Sequence, residues 1–533
     1  MKAKINGYKN YFVNLIFPTV LFGSVIGILT AIVIALFKFC AKHIISFSET
    51  GYTFLRNHLY LIPIILPVLF LIAVIFSYFY RKSPNLQGGG IPTSIGMMRG
   101  TIPFKWLKNL IGIFFLSLTS FLLGAGLGTE GPSVQMGTLI GKGSVHLCKK
   151  HKAWDRYSMI GGACAGFTAA TGAPLSGLLF MIEESHQSIS PMIIIVTMTS
   201  VIFARLTSEI ISPILAINQN LFTEISLPSL PINSIWIAPV IGIITGLFAV
   251  LFLKFYRILN GLFNKKLGKI PQQYKIFTVL AITFILGLCS YSFISTGHHL
   301  TESLLISSPA LVMLVLILIF RTIATLSANI SGITGGLFLP IIALGAVISC
   351  IALKFFSSLG LDSSYYTLIV ALGITACIAG MLKAPITAII FSIEALSCYT
   401  NILPVIVVST VSFIITEIFS AKSITDCVLE DRVEKLNNGK ISRIIDTFVV
   451  VKENSFAIGK QVRDILWPSN LFVLSVQHKA EVDAHVDANG ESSILEGDIL
   501  HIRYCTYDEA ATKTELMAIV GEQNYNENID TIV

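Results

Sequence analysis

Charge is what this sequence has least of. Of its 533 residues only 13% are Asp, Glu, Lys or Arg, while 54% are hydrophobic. A soluble domain carries about 25% charged residues, so a soluble protein is excluded and an integral membrane protein is indicated. Other absences narrow the class. The nine cysteines, at 40, 148, 164, 289, 350, 377, 398, 427 and 505, form no CxxC pair, so reduced, buried thiols are expected and no metal site. No HExxH or GxSxG constellation is present, which argues against a membrane enzyme, and no cofactor is called for. No TVGYG-like filter is present either, which argues against a cation channel of that kind. The net charge of +7 fits the positive-inside tendency and needs no nucleic acid to explain it.

What fills the chain instead is a series of uncharged runs, roughly 10–37, 59–80, 189–204, 235–253, 276–298, 310–320 and 322–353. A helix needs about 20 apolar residues to span the hydrocarbon core. Some runs reach that length, and others are short or broken by Gly and Pro. Broken helices occur in transporters and channels where the backbone lines a cavity. The amino-terminal MKAKINGYKN is basic and leads into a long apolar run without a convincing cleavage site, so a cytoplasmic amino terminus and a retained first helix are expected.

Composition changes near residue 421. From AKSITDCVLEDRVEKLNNGK onward, charges return at soluble density. DTFVVVK (446–452) predicts a strand, SFAIGKQVRDI a short amphipathic helix, LFVLSVQ a second strand, and ILEGDILHIRY a turn into a third. The expected organisation is a membrane domain over 1–432 and a small α+β domain over 441–521, on the same side of the membrane as the amino terminus if the number of crossings is even.

The membrane part repeats itself. APLSGLLFMIE (173–183) and APITAIIFSIE (384–394) share one frame at an offset of 211, and GTEGPSVQMG and GLFLPIIALG each place a glycine five residues after a proline at an offset of 208. Two signals in the same order at nearly the same offset predict duplicated halves, roughly 10–210 and 230–432, each contributing a broken helix to a site near the membrane midplane.

Three Gly/Pro-rich stretches interrupt the apolar pattern: GGGIP (88–92), GTEGP (128–132) and GGLFLP (335–340). Glycine permits sharp turns and close backbone approach, and proline suits the first turn of a helix. Each stretch therefore predicts a helix amino terminus inside the protein, where free N–H groups and the helix dipole favour an anion. One such stretch alone would be an ordinary kink. Three of them, with Glu130 the only charged residue between Lys108 and Lys142, point to an anion site that needs no Lys or Arg. Full cationic charge there would hold an ion too tightly for rapid passage. An intramembrane carboxylate is itself a functional signal.

These motifs, in this order and spacing, resemble the CLC family of chloride channels and proton-coupled chloride exchangers, whose signatures are GSGIP, G-[KR]-EGP and G-x-F-x-P. The resemblance covers roughly residues 10–432. It implies an all-α membrane fold of two inverted helical repeats with broken helices and a homodimer with one pore per subunit. A multi-pass protein of the plasma membrane with both termini cytoplasmic is expected on other grounds: the location from the character of the tail and the absence of a transit peptide, the orientation from the charge bias. The resemblance further implies that Glu130 is the gate, its carboxylate imitating an anion until protonation or competition displaces it. Glu184, second in the pair of FMIEES, matches the inner glutamate that relays protons in exchangers. His186, just beyond, is either a tuner of proton entry or part of a solvated helix end, and Glu394, the repeat partner of Glu183, is expected to be structural. Leu337 and Phe338 match the residues whose backbone amides line the central anion site, with Gly88, Gly89, Gly90, Thr129 and Gly131 around it.

The departures from the family pattern matter as much. The serine of GSGIP is Gly89 here, Thr129 replaces the usual Lys or Arg, and the pore tyrosine falls by register on Thr425. Each lost hydrogen bond to a charged ion costs about 1.5–3 kcal/mol, so weak central-site occupancy and altered selectivity or coupling are expected. The family's fluoride/proton branch also lacks that serine and tyrosine, but it tends to replace the proline of GxEGP and lacks the inner glutamate. Pro132 and Glu184 are both present here. The expected function is therefore secondary active exchange of chloride or a similar anion for protons, with a passive glutamate-gated chloride channel or a fluoride/proton exchanger as alternatives. The tail resembles the TrkA-C/RCK-C regulatory subdomain in S-x-x-x-G-K (455–460) and L-x-G-D-x-L (495–500), which implies a small regulatory ligand or a dimer-stabilising role.

Overall fold

The computed structural model describes residues 16–185, 190–223, 226–358, 362–437, 439–479 and 486–522. The basic amino-terminal segment and His186 lie outside the described residues, so the expectations placed on them have no structural counterpart here.

The first half of the membrane part runs through α1 (Phe17–Asn57), α2 (Ile62–Lys82), α3 (Gly90–Met98), α4 (Trp106–Leu122), α5 (Glu130–Leu147), α6 (Asp155–Thr171), α7 (Pro174–Ser185) and α8 (Pro191–Ile214). The second half follows with α9 (Ile237–Leu267), α10 (Gln272–Cys289), α11 (His298–Ile306), α12 (Leu311–Ser331), α13 (Phe338–Ser358), α14 (Tyr366–Leu382), α15 (Pro385–Ala395), α16 (Ile402–Ile418) and α17 (Ile424–Leu436). Seven helical stretches among the described residues are long and apolar enough to cross a bilayer. Length sorts the rest. With 41 residues, α1 extends about 60 Å and exceeds a bilayer core of about 30 Å. With 9, 12, 9 and 11 residues, α3, α7, α11 and α15 are too short to cross, so their ends fall within the protein. Backbone ends at membrane depth need internal partners, and the duplicated sequence supplies them.

The supply is reciprocal. Glu394 of α15 accepts hydrogen bonds from the backbone N–H of Leu175 (2.9 Å) and Ser176 (2.8 Å) and from the Ser176 hydroxyl (2.6 Å), at the start of α7. Glu183 of α7 accepts from the N–H of Ile386 (3.1 Å) and Thr387 (2.9 Å) and the Thr387 hydroxyl (2.7 Å), at the start of α15. Each half thus caps the other's short helix by the same three contacts. The same symmetry appears in the core, where Phe180 and Phe391, equivalent in the repeat, both pack on Phe338 with ring centroids 5.9 and 5.3 Å away. It appears again where Gly128 and Gly336 exchange backbone hydrogen bonds of 2.7 and 2.8 Å. The two inverted repeats therefore meet through contacts that neither half makes alone.

The tail folds separately on its own apolar cluster, built from Val449, Ile465, Leu500, Ile502 and Ile519 among others. Four antiparallel strands, β1 (Arg443–Val450), β2 (Leu471–Gln477), β3 (Val486–Asp487) and β4 (Ile499–Thr506), lie in the order β1-β4-β2-β3, followed by α18 (Glu509–Val520). The three expected strands are present. The helix expected over SFAIGKQVRDI is not: turns occupy that stretch, with a single 3-10 turn at Val462–Asp464, because its backbone bonds instead to residues 490–494 and 519. The tail packs on the membrane part at the start of α6. Arg156 donates to Glu515 (2.6 Å) and to the Trp467 carbonyl (2.5 Å), and Tyr157 donates to the Asp464 carbonyl (2.7 Å) while accepting from the Leu466 N–H (3.0 Å). Phe456 sits edge-on to Trp154 and tilted against Tyr157. Beside it, burial pushes the Lys460 ammonium down to about 8, against the opposing pull of Asp464.

Candidate functional site

The three glycine stretches converge as backbone. A Cβ on Gly90 would strike the carbonyl of Gly131, and one on Gly131 would lie 2.5 Å from the Cα of Gly336. The 88–90 and 332–337 loops are further joined by Gly88 N–H to the Gly332 carbonyl (2.9 Å), and by Thr334, whose hydroxyl donates to the Leu86 carbonyl (2.6 Å) and accepts from the Tyr80 hydroxyl (2.8 Å). The amino termini of α3, α5 and α13 therefore start from one small region. Their first-turn N–H groups have no intrahelical acceptors. Gly131→Ala is expected to cost about 3 kcal/mol, seen as a lowered thermal-unfolding midpoint in detergent. An unchanged midpoint would contradict this close backbone approach.

Glu130 opens α5 at this junction and is fully buried. Its Oε1 accepts from the Thr129 hydroxyl at 2.8 Å, while Oε2 has no partner among the described residues. Leu337 and Phe338, both buried, stand at the start of α13. Gly88, Gly89 and Thr129 lie in the converging loops, and Gly90 and Gly131 in the first turns of α3 and α5. A cavity of about 220 Å³ reaches this junction and is lined by Lys38, Thr129, His298, His299, Glu302 and Leu339.

Glu184 is also buried, and its Oε1 accepts from the Thr425 hydroxyl at 3.3 Å. The residue on the tyrosine register thus touches the second carboxylate. Thr425 belongs to α17, which continues toward the tail. A cavity of about 600 Å³ on that side is bounded by Arg99, Asp426, Glu430, Asn470 and Tyr507.

Three polar residues went unremarked in the sequence. Lys38, the first charged residue of α1, donates to the carbonyls of Ala170 (3.0 Å) and Gln219 (3.2 Å), closing the carboxyl end of α6 at the cavity wall. Arg432 lies against Gly88, with its Nη1 unpartnered among the described residues. Asn329, on α12, is buried beside the 88–90 loop. A polar residue interrupting an apolar stretch is the signal that marks Lys38 and Asn329, whereas Arg432 stands among other charges in α17 and has no such mark.

Two inverted helical repeats, broken helices and glycine-lined helix starts define a multi-pass membrane transport protein, not an enzyme. Residues 68–417 match the family described as voltage gated chloride channel, and the chain belongs to that family, whose members are the CLC proteins. Among solved structures, a slow cyanobacterial Cl−/H+ antiporter is similar at 26% identity and a TM-score of 0.70, covering 79% of this chain and 99% of its own. A CLC-type fluoride/proton antiporter (19% identity, TM-score 0.61, 76% and 96% covered) and a eukaryotic CLC transporter (15%, 0.62, 83% and 77%) share the fold.

Proposed function

We propose that this protein exchanges chloride, or a similar small anion, for protons, with Glu130 as the gate and Glu184 as the inner proton relay. The observation that carries the reading is the pair of buried carboxylates, each accepting a hydrogen bond from a threonine hydroxyl, one at the helix starts and one toward the tail. The likeness to a Cl−/H+ antiporter supports it.

The mechanism follows from the charges. Ionised Glu130 occupies the region where helix amino termini favour an anion. Protonation removes that attraction, the side chain leaves, and an anion takes its place among the backbone amides of Leu337 and Phe338. Glu184 passes protons between the tail side, taken as cytoplasmic, and the interior. The protein works as a plasma-membrane homodimer in this reading, with the tail as a TrkA-C/RCK-C-like regulatory module.

Purified protein in liposomes with a chloride gradient and no imposed pH gradient is the test. Chloride-driven proton movement is expected. Chloride flux alone would replace exchange with a glutamate-gated channel, and no chloride flux would turn attention to fluoride.

A further inference from the structure

The glycine at residue 89 does not owe its place to backbone geometry. Its φ of −63° and ψ of 133° are open to any L-residue. A Cβ built there would meet its nearest neighbours at 3.5 Å or more, ordinary van der Waals contact. Residue 89 thus has room for a side chain and lacks one, in contrast to Gly90 and Gly131, where backbone crowds the space. What faces the position is informative. The second-nearest atom, 3.6 Å from the Cβ position, is the side-chain nitrogen of Asn329, with the Gly335 carbonyl at 3.8 Å. Asn329 is only 6% exposed, and this nitrogen has no hydrogen-bond partner among the described residues. A buried, unpaired donor is costly and rarely retained without an acceptor. Here it lies where the start of α3 approaches the loop leading into α13.

We propose that the side-chain amide of Asn329 is an anion ligand of the central site, donating to a small monovalent anion from the space that a side chain at residue 89 would otherwise enter. The proposal rests on the anion-transport reading above and deepens it. An amide adds donors without adding net charge, so it strengthens the site while leaving release rapid. The weak central site expected from Gly89 and Thr425 is then reinforced from a different helix. A single polar residue near the end of α12 performs a task that the local motif does not.

The experiment measures chloride binding to the full-length detergent-purified protein by titration calorimetry, alongside anion flux in liposomes. Asn329→Leu keeps the side-chain size and removes the donors. It is expected to weaken chloride binding about tenfold to hundredfold. If the leucine variant is not recovered folded, Asn329→Ala, which only deletes atoms, takes its place with the same expectation. Gly89→Ser in either background is expected to regain most of the loss, because its hydroxyl enters the space that the amide faces. Unchanged binding in the Asn329 variants overturns the proposal, as does a loss that Gly89→Ser leaves untouched. Wild-type binding without chloride-coupled proton movement would instead overturn exchange, and the comparison of variants would still decide the role of Asn329. Absence of chloride binding by the wild type overturns both.

Discussion

Glu130→Gln is expected to abolish chloride-driven proton movement while chloride still crosses. Glutamine has the size of the protonated acid but carries neither the exchangeable proton nor the charge. An ionised carboxylate at the junction of α3, α5 and α13 is attracted by three helix starts, whereas a neutral amide offers them only one uncharged acceptor oxygen and gains far less by staying. The side chain is then displaced in favour of the anion, and the carboxyl that carries the proton in this reading is lost. Proton flux is expected to fall at least about 100-fold, the lower end of what a positioned proton-transfer group contributes. Recording chloride and pH from the same liposomes separates the two effects. Glu184→Gln is expected to stop protons as well, because Glu184 is the buried acid on the tail side, held by Thr425. Persistent coupled proton movement in Glu130→Gln would remove Glu130 from the proton path.

The other large effect concerns stability. Glu183→Ala and Glu394→Ala each remove a carboxylate that accepts two backbone N–H groups and one hydroxyl at a short helix's start. Water would otherwise satisfy such groups, and within a membrane protein it is scarce. Charge-assisted bonds are the stronger class, and leaving their partners unpaired is expected to cost about 3–5 kcal/mol for each substitution. The corresponding Gln variants retain one acceptor oxygen and are expected to lose roughly half as much by the same reasoning. Thermal unfolding in detergent reads the difference. The symmetry adds a sharper demand: the two Ala variants should fall by similar amounts. A large drop for one and none for the other would show that only one cap contributes.

The architecture was legible because Gly, Pro and acid are conspicuous against an apolar background. The glycine stretches, Glu130 and the offset of 211 residues all stand out by contrast. Their expected meeting corresponds to backbone contacts among Gly90, Gly131 and Gly336. What stayed hidden has a common cause. The donor at Asn329, the clamp at Lys38 and the guanidinium at Arg432 act across sequence distances that no local pattern encodes. The exchange of caps between Glu183 and Glu394 was hidden in a subtler way. The repeat was visible, but a repeat does not say whether each copy completes itself or its partner. In the tail, SFAIGKQVRDI carries a helical pattern, yet its backbone finds partners in residues 490–494 and 519, and tertiary pairing prevailed over local preference.

The exchanged caps also set a clock. Leu175 and Glu394 are 219 residues apart in the chain. At roughly 5–20 residues per second, synthesis of the second half keeps α7 without its cap for about 10–45 s. During that interval the first half is already emerging into the membrane with a helix start whose acceptor does not yet exist. Early folding must therefore tolerate an incomplete α7, held by neighbouring helices or by the insertion machinery. The two halves become mutually stable only when α15 arrives, so assembly of the transport unit is a late, concerted event and not the sum of two independent ones.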